Sequence, residues 1–229
     1  KEVKMILLIG GIKGGVGKTS IAVNLTIMRS LSGHDTLLID GDDQESAFDF
    51  SELRAEAFGD TGAGYSTARY VEKAIRREGL PLSKKFDTTI IDVGGRDTSS
   101  QRAALSIADV AIFPFQPGSF DVWTIDRLDS LVEEAKEYNE NLQCFSILNR
   151  ADSSGEDNEE SAQILQEAKQ ITYIDSPIVN RKVVRNAASK GLSVAEFRPK
   201  NQKSIDEMQH LYDFIYTSKS DQNDIILTA

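Results

Sequence analysis

The chain of 229 residues carries a formal net charge of −10 and a single cysteine, Cys144. One cysteine excludes an intrachain disulfide and any multi-cysteine metal or iron–sulfur site within one chain, and the acid excess, taken as an average, argues against a nucleic-acid binder. With 40% apolar and 27% charged residues, the composition is that of an ordinary soluble protein, long enough to bury one α/β core.

The N-terminus runs into MILLI (Met5 to Ile9) without a cleavable-signal pattern, so a cytoplasmic location is expected. No apolar run approaches the roughly 20 residues of a membrane span. Residues 4–9 predict a buried strand, followed by a glycine-rich loop and a helix over 18–31. Strands are also predicted at 36–39, 88–91, 110–113 and 145–148, with 171–174 as a weaker sixth. Helical spacing recurs at 99–107, 122–138 and 159–169. The stretch 59–64 is flexible by composition, and 151–160 is acidic and loop-like. His34 falls in a helix-to-strand turn and His210 on an amphipathic helix, so both are read as structural or exposed. One domain is expected over 1–218, with a polar, disordered tail over 219–229. Strand–helix alternation of this kind predicts an α/β fold, a doubly wound, mostly parallel sheet flanked by helices. Ligands of such sheets bind beyond the carboxyl ends of the strands. Three polar loops fall there, at 10–17, 40–44 and 92–97.

The first loop is IGGIKGGVGKTS (Ile9 to Ser20). A strand entering a glycine-rich loop and then a helix aims backbone N–H groups and a helix dipole at one anion. Gly14, Gly15, Val16 and Gly17 would wrap the phosphates, Lys18 would reach the β- and γ-phosphates, Thr19 would ligate Mg²⁺, and Ser20 would join Thr19 in contacting the nucleotide. Ile12 stands where the common pattern G-x-x-x-x-G-K-[ST] has its first glycine, and an extra lysine, Lys13, follows it.

K-G-G-V-G-K-T resembles the variant phosphate loop, the deviant Walker A type, of the ParA/MinD family of phosphate-loop ATPases. That resemblance implies ATP and Mg²⁺ as ligands, and a Lys13 that crosses a dimer interface to the nucleotide of the partner subunit. LLIDGDDQESAF (Leu37 to Phe48) is similar to the family's D-x-D-P-Q, with Asp43 in place of proline. By position, Asp42 would orient the attacking water, while Asp40 would support Mg²⁺ through water. Two carboxylates at i and i+2 on a strand end point the same way, so one metal–water site is expected for the pair. TTIIDVGG (Thr88 to Gly95) ends in Asp92, the second metal-side carboxylate expected of phosphate-loop enzymes. Gly95 would give its N–H to the γ-phosphate and swing away on hydrolysis, and Asp97 would cap the next helix.

After the fifth strand, Asn149 matches the family's adenine contact. N-R-A-D, Asn149 to Asp152, also echoes the N-K-x-D of GTPases, so GTP stands as an alternative. Residues 181–197 resemble the family's late helix and its G-x-S-V-x-E/D element. Over 181–203 the local charge is +6, leaving −16 for the remainder. Arg181, Lys182, Arg185 and Lys190 are therefore expected to bind DNA without sequence preference, Arg181 and Arg185 on one helix face. The resemblance to short ParA forms implies a slow, partner-stimulated ATP hydrolase, dimeric with ATP and acting in DNA segregation or cargo positioning. It also implies an adaptor of ParB type and a nucleoid-associated location, and residues 221–227 lack a basic amphipathic helix, so no membrane partner is expected. A metabolic or metal-chaperone ATPase of the same superfamily is the other alternative, and the missing cysteines count against its metal-linked forms.

Overall fold

The computed structural model describes residues 4–95, 99–118, 120 and 122–216. Its strands are β1 (Met5–Ile9), β2 (Thr36–Asp40), β3 (Ser66–Arg69), β4 (Thr88–Asp92), β5 (Val110–Phe115), β6 (Gln143–Ala151), β7 (Thr172–Tyr173) and β8 (Ile178–Val179). The helices are α1 (Lys18–Leu31), α2 (Ser46–Phe58), α3 (Leu80–Ser83), α4 (Ser99–Leu105), α5 (Val122–Lys136), α6 (Glu156–Gln166), α7 (Lys182–Ala188) and α8 (Gln202–Tyr216), with a π-helical turn, Ile75–Gly79, leading into α3. The sheet order is β3-β2-β4-β1-β5-β6-β7, with β8 alongside the end of β6. Every recorded pair is parallel. The architecture is the α/β doubly wound sheet that strand–helix alternation predicts.

The central strands are buried on both faces, and their alternation divides them between two cores. Ile6 and Leu8 pack into a cluster with Ile75, Leu105, Leu128 and Leu165, under α4, α5 and α6. Leu7 and Ile9 pack into the opposite cluster with Ile21, Leu25, Phe50 and Phe214, under α1, α2 and α8. Asp40 and Asp92 share the parity of Leu38 and Ile90, which belong to the α1 side. β2 and β4 pair in register with Asp40 opposite Asp92. Both carboxylates thus end at one place, beside the start of α1.

Several boundaries differ from the sequence reading. β6 runs nine residues to Ala151, well beyond 148. β3 (STAR) is a polar edge strand with no apolar run to betray it. α2 buries Ala47, Phe50, Ser51 and Arg54, a regular i, i+3, i+4, i+7 stripe in which two of four members are polar. The acidic segment is a loop only as far as Gly155. Glu156, Asp157 and Glu159 form the first turn of α6, where carboxylates complement the helix dipole. The late helix is short, and Arg181 precedes it as an extended N-cap. Residues 59–64 open with a 3₁₀ turn, Gly59–Thr61. The expected tail, together with Asp97, lies outside the described residues.

The polar stripe of α2 has a structural use. Arg54, 4% exposed, donates to Ala63 O at 2.7 Å and to Gly191 O at 2.8 Å, and forks onto Glu196 at 2.8 and 2.9 Å. Burial works to raise the Glu196 pKa, but the bonds from Arg54 and Ser193 prevail and hold it below the ordinary value. Gly191, at φ 66°, lies so close that a Cβ there would come within 2.6 Å of Arg54 Cα. A buried pair of this kind adds little net stability over an apolar substitute, yet removing one partner strands the other charge. Glu196→Ala is therefore expected to lower the unfolding free energy by about 3 kcal/mol. Urea denaturation would read this as a lower midpoint at constant m-value, and a loss of under about 0.5 kcal/mol would place the pair in solvent.

Candidate functional site

The loop after β1 bends back over the N-terminus of α1, and its dihedrals require glycine at defined points. Gly17, the N-cap of α1, has φ 90°. A Cβ there would fall 2.4 Å from Asn149 Nδ2. Asn149, at the end of β6, donates that amide to Val16 O at 2.7 Å. The far limb of the loop is thus tied to β6, and Asn149 has a structural bond that its base-contact reading did not include. On the other side, a Cβ on Gly95 would meet Gly14 N and Lys13 O at 2.4 Å. Gly95 lies directly on the crest of the phosphate loop because it has no side chain.

Lys18 is 7% exposed, and its Nζ donates to Lys13 O at 2.9 Å. Burial lowers its pKa, against the charges of Asp92 and Asp42. Thr19 Oγ1 donates to Asp92 Oδ2 at 2.6 Å. The other oxygen, Oδ1, is buried with no hydrogen-bond partner. Burial, only partly offset by Thr19, pushes the Asp92 pKa up to about 7. A buried carboxylate oxygen without a donor, beside a hydroxyl, is the hard-oxygen chemistry that suits Mg²⁺. Among the described residues no cluster of three or more His, Cys, Asp or Glu could hold a metal. Any divalent ion at Thr19 and Asp92 would thus need most of its ligands from water and phosphate, the usual preference of Mg²⁺.

Asp40 is placed differently from its predicted metal role. It is 1% exposed, and its carboxylate accepts the N–H groups of Asp42 at 3.0 Å, Ala47 at 2.9 Å and Phe48 at 2.8 Å. Ala47 and Phe48 are the second and third residues of α2, so Asp40 caps that helix from the end of β2. Burial still raises its pKa against those bonds. The two carboxylates make different contacts, because the chain turns between them. Asp42 alone reaches the cleft, its Oδ1 accepting Gln44 N–H at 3.2 Å and lying 3.1 Å from a Cβ built on Gly94.

Two clefts meet at the start of α1. One, of about 680 Å³, is walled by Gly14, Gly15, Gly17, Lys18, Thr19, Asp42 and Gly95. The other, of about 320 Å³, runs between β6, β8 and α7 and includes Asn149, Ile178 and Val184. Ser20 and Arg150 border both. Asp152 borders neither; its backbone bonds to the Asn158 side chain. Lys13 is exposed and borders neither cleft. Val16, in contrast, is buried beneath the loop.

The residues predicted for DNA separate. Arg181 pairs with Glu207, and Arg181 and Arg185 both line the smaller cleft. Lys182 and Lys190 are exposed, with the Lys190 ammonium 5.4 Å from the Phe197 ring. Arg181, outside the helix, and Arg185, exposed within it, thus share a cleft border and no common helix face. Arg150, whose backbone is left-handed at φ 56°, was missed as a site residue; the N-R-A-D motif contained it, but nothing in the sequence marks its conformation.

A parallel sheet with a glycine-rich loop, a buried lysine and a Thr–Asp pair at the strand ends defines a phosphate-loop nucleotide-binding protein. The family model described as the CobQ/CobB/MinD/ParA nucleotide binding domain matches residues 7–194, and the chain belongs to that family. No curated protein matches the sequence. Among solved structures, the chain resembles a plasmid partition protein of Borrelia burgdorferi B31 bound to AMPPNP (19% identity, 94% of this chain and 100% of that one, TM-score 0.71). It also resembles an ATP complex of Cyanothece McdA (19% identity, 93% and 96%, TM-score 0.71). A third likeness is to cobyrinic acid a,c-diamide synthase of Mycobacterium smegmatis with ADP and magnesium (17% identity, 82% and 93%, TM-score 0.66). At these identities the likeness establishes the fold.

The Asp92 pKa yields a pH prediction. A carboxyl whose folded pKa is raised destabilises the fold progressively as pH rises from its unfolded value, near 4, through its folded value, about 7. Asp92→Asn removes that cost, so the nucleotide-free variant should be more stable than wild type at pH 8, by about 4 kcal/mol. The advantage should shrink as pH falls toward 4. Thermal unfolding across pH 4–8 checks it, and a pH-independent difference would show that Asp92 ionises normally.

Proposed function

We propose that this chain is a ParA-like ATPase, an ATP-dependent dimer switch that acts in DNA partition or in positioning an intracellular cargo. The observation that carries the proposal is Lys13. It is exposed at the crest of the phosphate loop, borders neither cleft of its own subunit, and has no ion-pair or hydrogen-bond partner for its side chain among the described residues. A second lysine in that position suits a phosphate presented by another subunit, and two such lysines without nucleotide would repel.

Within one subunit Lys18 exchanges its bond to Lys13 O for the β- and γ-phosphates, and the amides of Gly14 to Ser20 hold the same group. Thr19 and Asp92 would hold Mg²⁺, which offsets the charge on the polyphosphate. Asp42, which borders the cleft beyond the end of β2, orients the attacking water, and Gly95 contacts the terminal phosphate. Asp40 stiffens the loop that presents Asp42. Asn149 contacts the base while bracing the loop. Asp152 lies away from both clefts, which favours adenine over the guanine alternative. The nucleotide complexes of the Borrelia and Cyanothece proteins support the same ligand class. The cobyrinic acid synthase likeness supports a second, metabolic reading, which predicts neither the dimer switch nor DNA binding. Hydrolysis is slow and stimulated by an adaptor of ParB type. No helix among the described residues is long and apolar enough to cross a membrane, and the switch is proposed to act in the cytoplasm, on the nucleoid.

Calorimetry should show Mg²⁺-ATP binding and GTP competing poorly, and equal affinities would sink the adenine assignment. Sedimentation should find the wild type dimeric with a non-hydrolysable ATP analogue and monomeric with ADP. Lys13→Ala should bind ATP but neither dimerise nor hydrolyse it, and a wild-type dimer in that variant would remove the trans-acting lysine. Asp42→Ala should dimerise with ATP and lose turnover by at least roughly a hundredfold.

DNA binding by the ATP dimer draws on the basic segment, with Lys182 and Lys190 as its outward cations and Arg181 and Arg185 nearer the nucleotide. Anisotropy with unrelated duplexes should give equal affinities that fall with salt at a log–log slope of about −0.9 per phosphate neutralised. Lys182→Glu/Lys190→Glu should reduce that slope while leaving nucleotide affinity intact. Reversal at Arg181 and Arg185 would perturb the nucleotide pocket as well, and is the poorer test.

A further inference from the structure

Arg150 stands where the two clefts join. It is the next-to-last residue of β6 and exposed between buried Asn149 and Ala151. From Asn149 to Ala151 the strand advances two residues while β8 advances one, from Ile178 to Val179. Arg150 is the extra residue of a bulge, a device that re-aims a side chain at the cost of a ladder position. Its φ of 56° is a conformation that glycine adopts freely and a residue with a Cβ adopts at a cost. The fold therefore carries two local irregularities at one arginine.

What they achieve is placement. Arg150 Nε lies 3.5 Å from the position a Cβ on Gly17 would occupy, so the guanidinium sits beside the N-cap of α1. Arg150 borders both the phosphate cleft and the cleft holding Asn149. Its side chain has no hydrogen-bond or ion-pair partner among the described residues, whereas Arg54, Arg69, Arg102 and Arg181 are all paired with carboxylates. Strain that persists at a cleft points to a use for the side chain it aims.

A nucleotide lying across both clefts has one anionic group at their junction. Lys18 and the loop serve the β- and γ-phosphates, and Asn149 stands at the base end. Between them is the α-phosphate. We propose that Arg150 binds the α-phosphate of the nucleotide, the bulge and left-handed backbone serving to aim its guanidinium across Gly17. The inference rests on the nucleotide-binding reading above. A planar fork of N–H donors suits two phosphate oxygens better than a lysine would. Because ATP and ADP share this phosphate, Arg150 contributes to binding equally in both states and takes no part in switching.

The test compares wild type, Arg150→Ala, Arg150→Lys and Arg150→Gly by calorimetric titration with Mg²⁺-ATP and Mg²⁺-ADP. Arg150→Ala should lose roughly tenfold to a hundredfold in affinity for both nucleotides, by the same factor, and Arg150→Lys should recover part of it. Arg150→Gly should lose as much, while the thermal midpoint of the free protein stays at or above that of wild type, since glycine accepts φ 56° without strain. Arg150→Ala binding ADP within twofold of wild type would overturn the proposal. So would a loss confined to ATP, which would move the arginine to the γ-phosphate. A fall in the free-protein midpoint for Arg150→Gly would also overturn it, by giving the arginine a structural role. If wild type itself binds neither nucleotide, the functional reading fails first, and that outcome is distinct from the other three.

Discussion

The hydrogen bond from Thr19 to Asp92 ties the first turn of α1 to the end of β4, and it leaves one buried carboxylate oxygen without a donor. That unmet oxygen is expensive in the free protein, as the upward displacement of its pKa shows. Its cost is tolerated because the sheet leaves little choice. β4 lies between β2 and β1, and its last residue faces the same layer as Asp40 and the start of α1. A charge held there becomes favourable only when cations enter the cleft. The architecture therefore stores an electrostatic deficit at the point where a polyphosphate and its counter-ion would sit.

Around that deficit the loops approach one another to distances that side chains would forbid. Gly17 lets Asn149 brace the phosphate loop from β6, and Gly95 lets the segment after β4 rest on its crest. The two contacts hold the loop from opposite sides. A change at the crest is felt at once by Gly95, whereas the limb tied to Asn149 has a buried hydrogen bond to keep it in place.

The second strand shows how a local rule gives way to its surroundings. Asp40 and Asp42 alternate as strand-end residues should, yet the N–H groups at the start of α2 capture Asp40. A helix N-terminus inside a protein must find acceptors for its free donors, and a buried carboxylate at the end of the preceding strand is the nearest one. α2 then carries Arg54 to Glu196 and Gly191, so the segment that presents Asp42 is mechanically continuous with the element that follows α7.

Periodicity alone determined the alternation of strands and helices, the parallel sheet and the position of the glycine-rich loop, because buried strands and the long helix α1 carry uninterrupted apolar patterns. The loop motif and a strand-end position likewise marked Lys18, Thr19 and Asp92 for one site, and Thr19 and Asp92 do meet. Tertiary structure decided the rest. β3 was invisible because an edge strand needs no apolar run, and α2 because half of its buried stripe is polar, with Arg54 satisfied largely by Gly191 and Glu196, more than a hundred positions away. Asp40 became a helix cap, and Arg181 turned toward a cleft and Glu207, since a charged residue's partner is chosen by what packs beside it. Arg150 shows the limit most clearly: its left-handed backbone comes from a bulge between β6 and β8, a mismatch of two strands that neither strand's sequence contains.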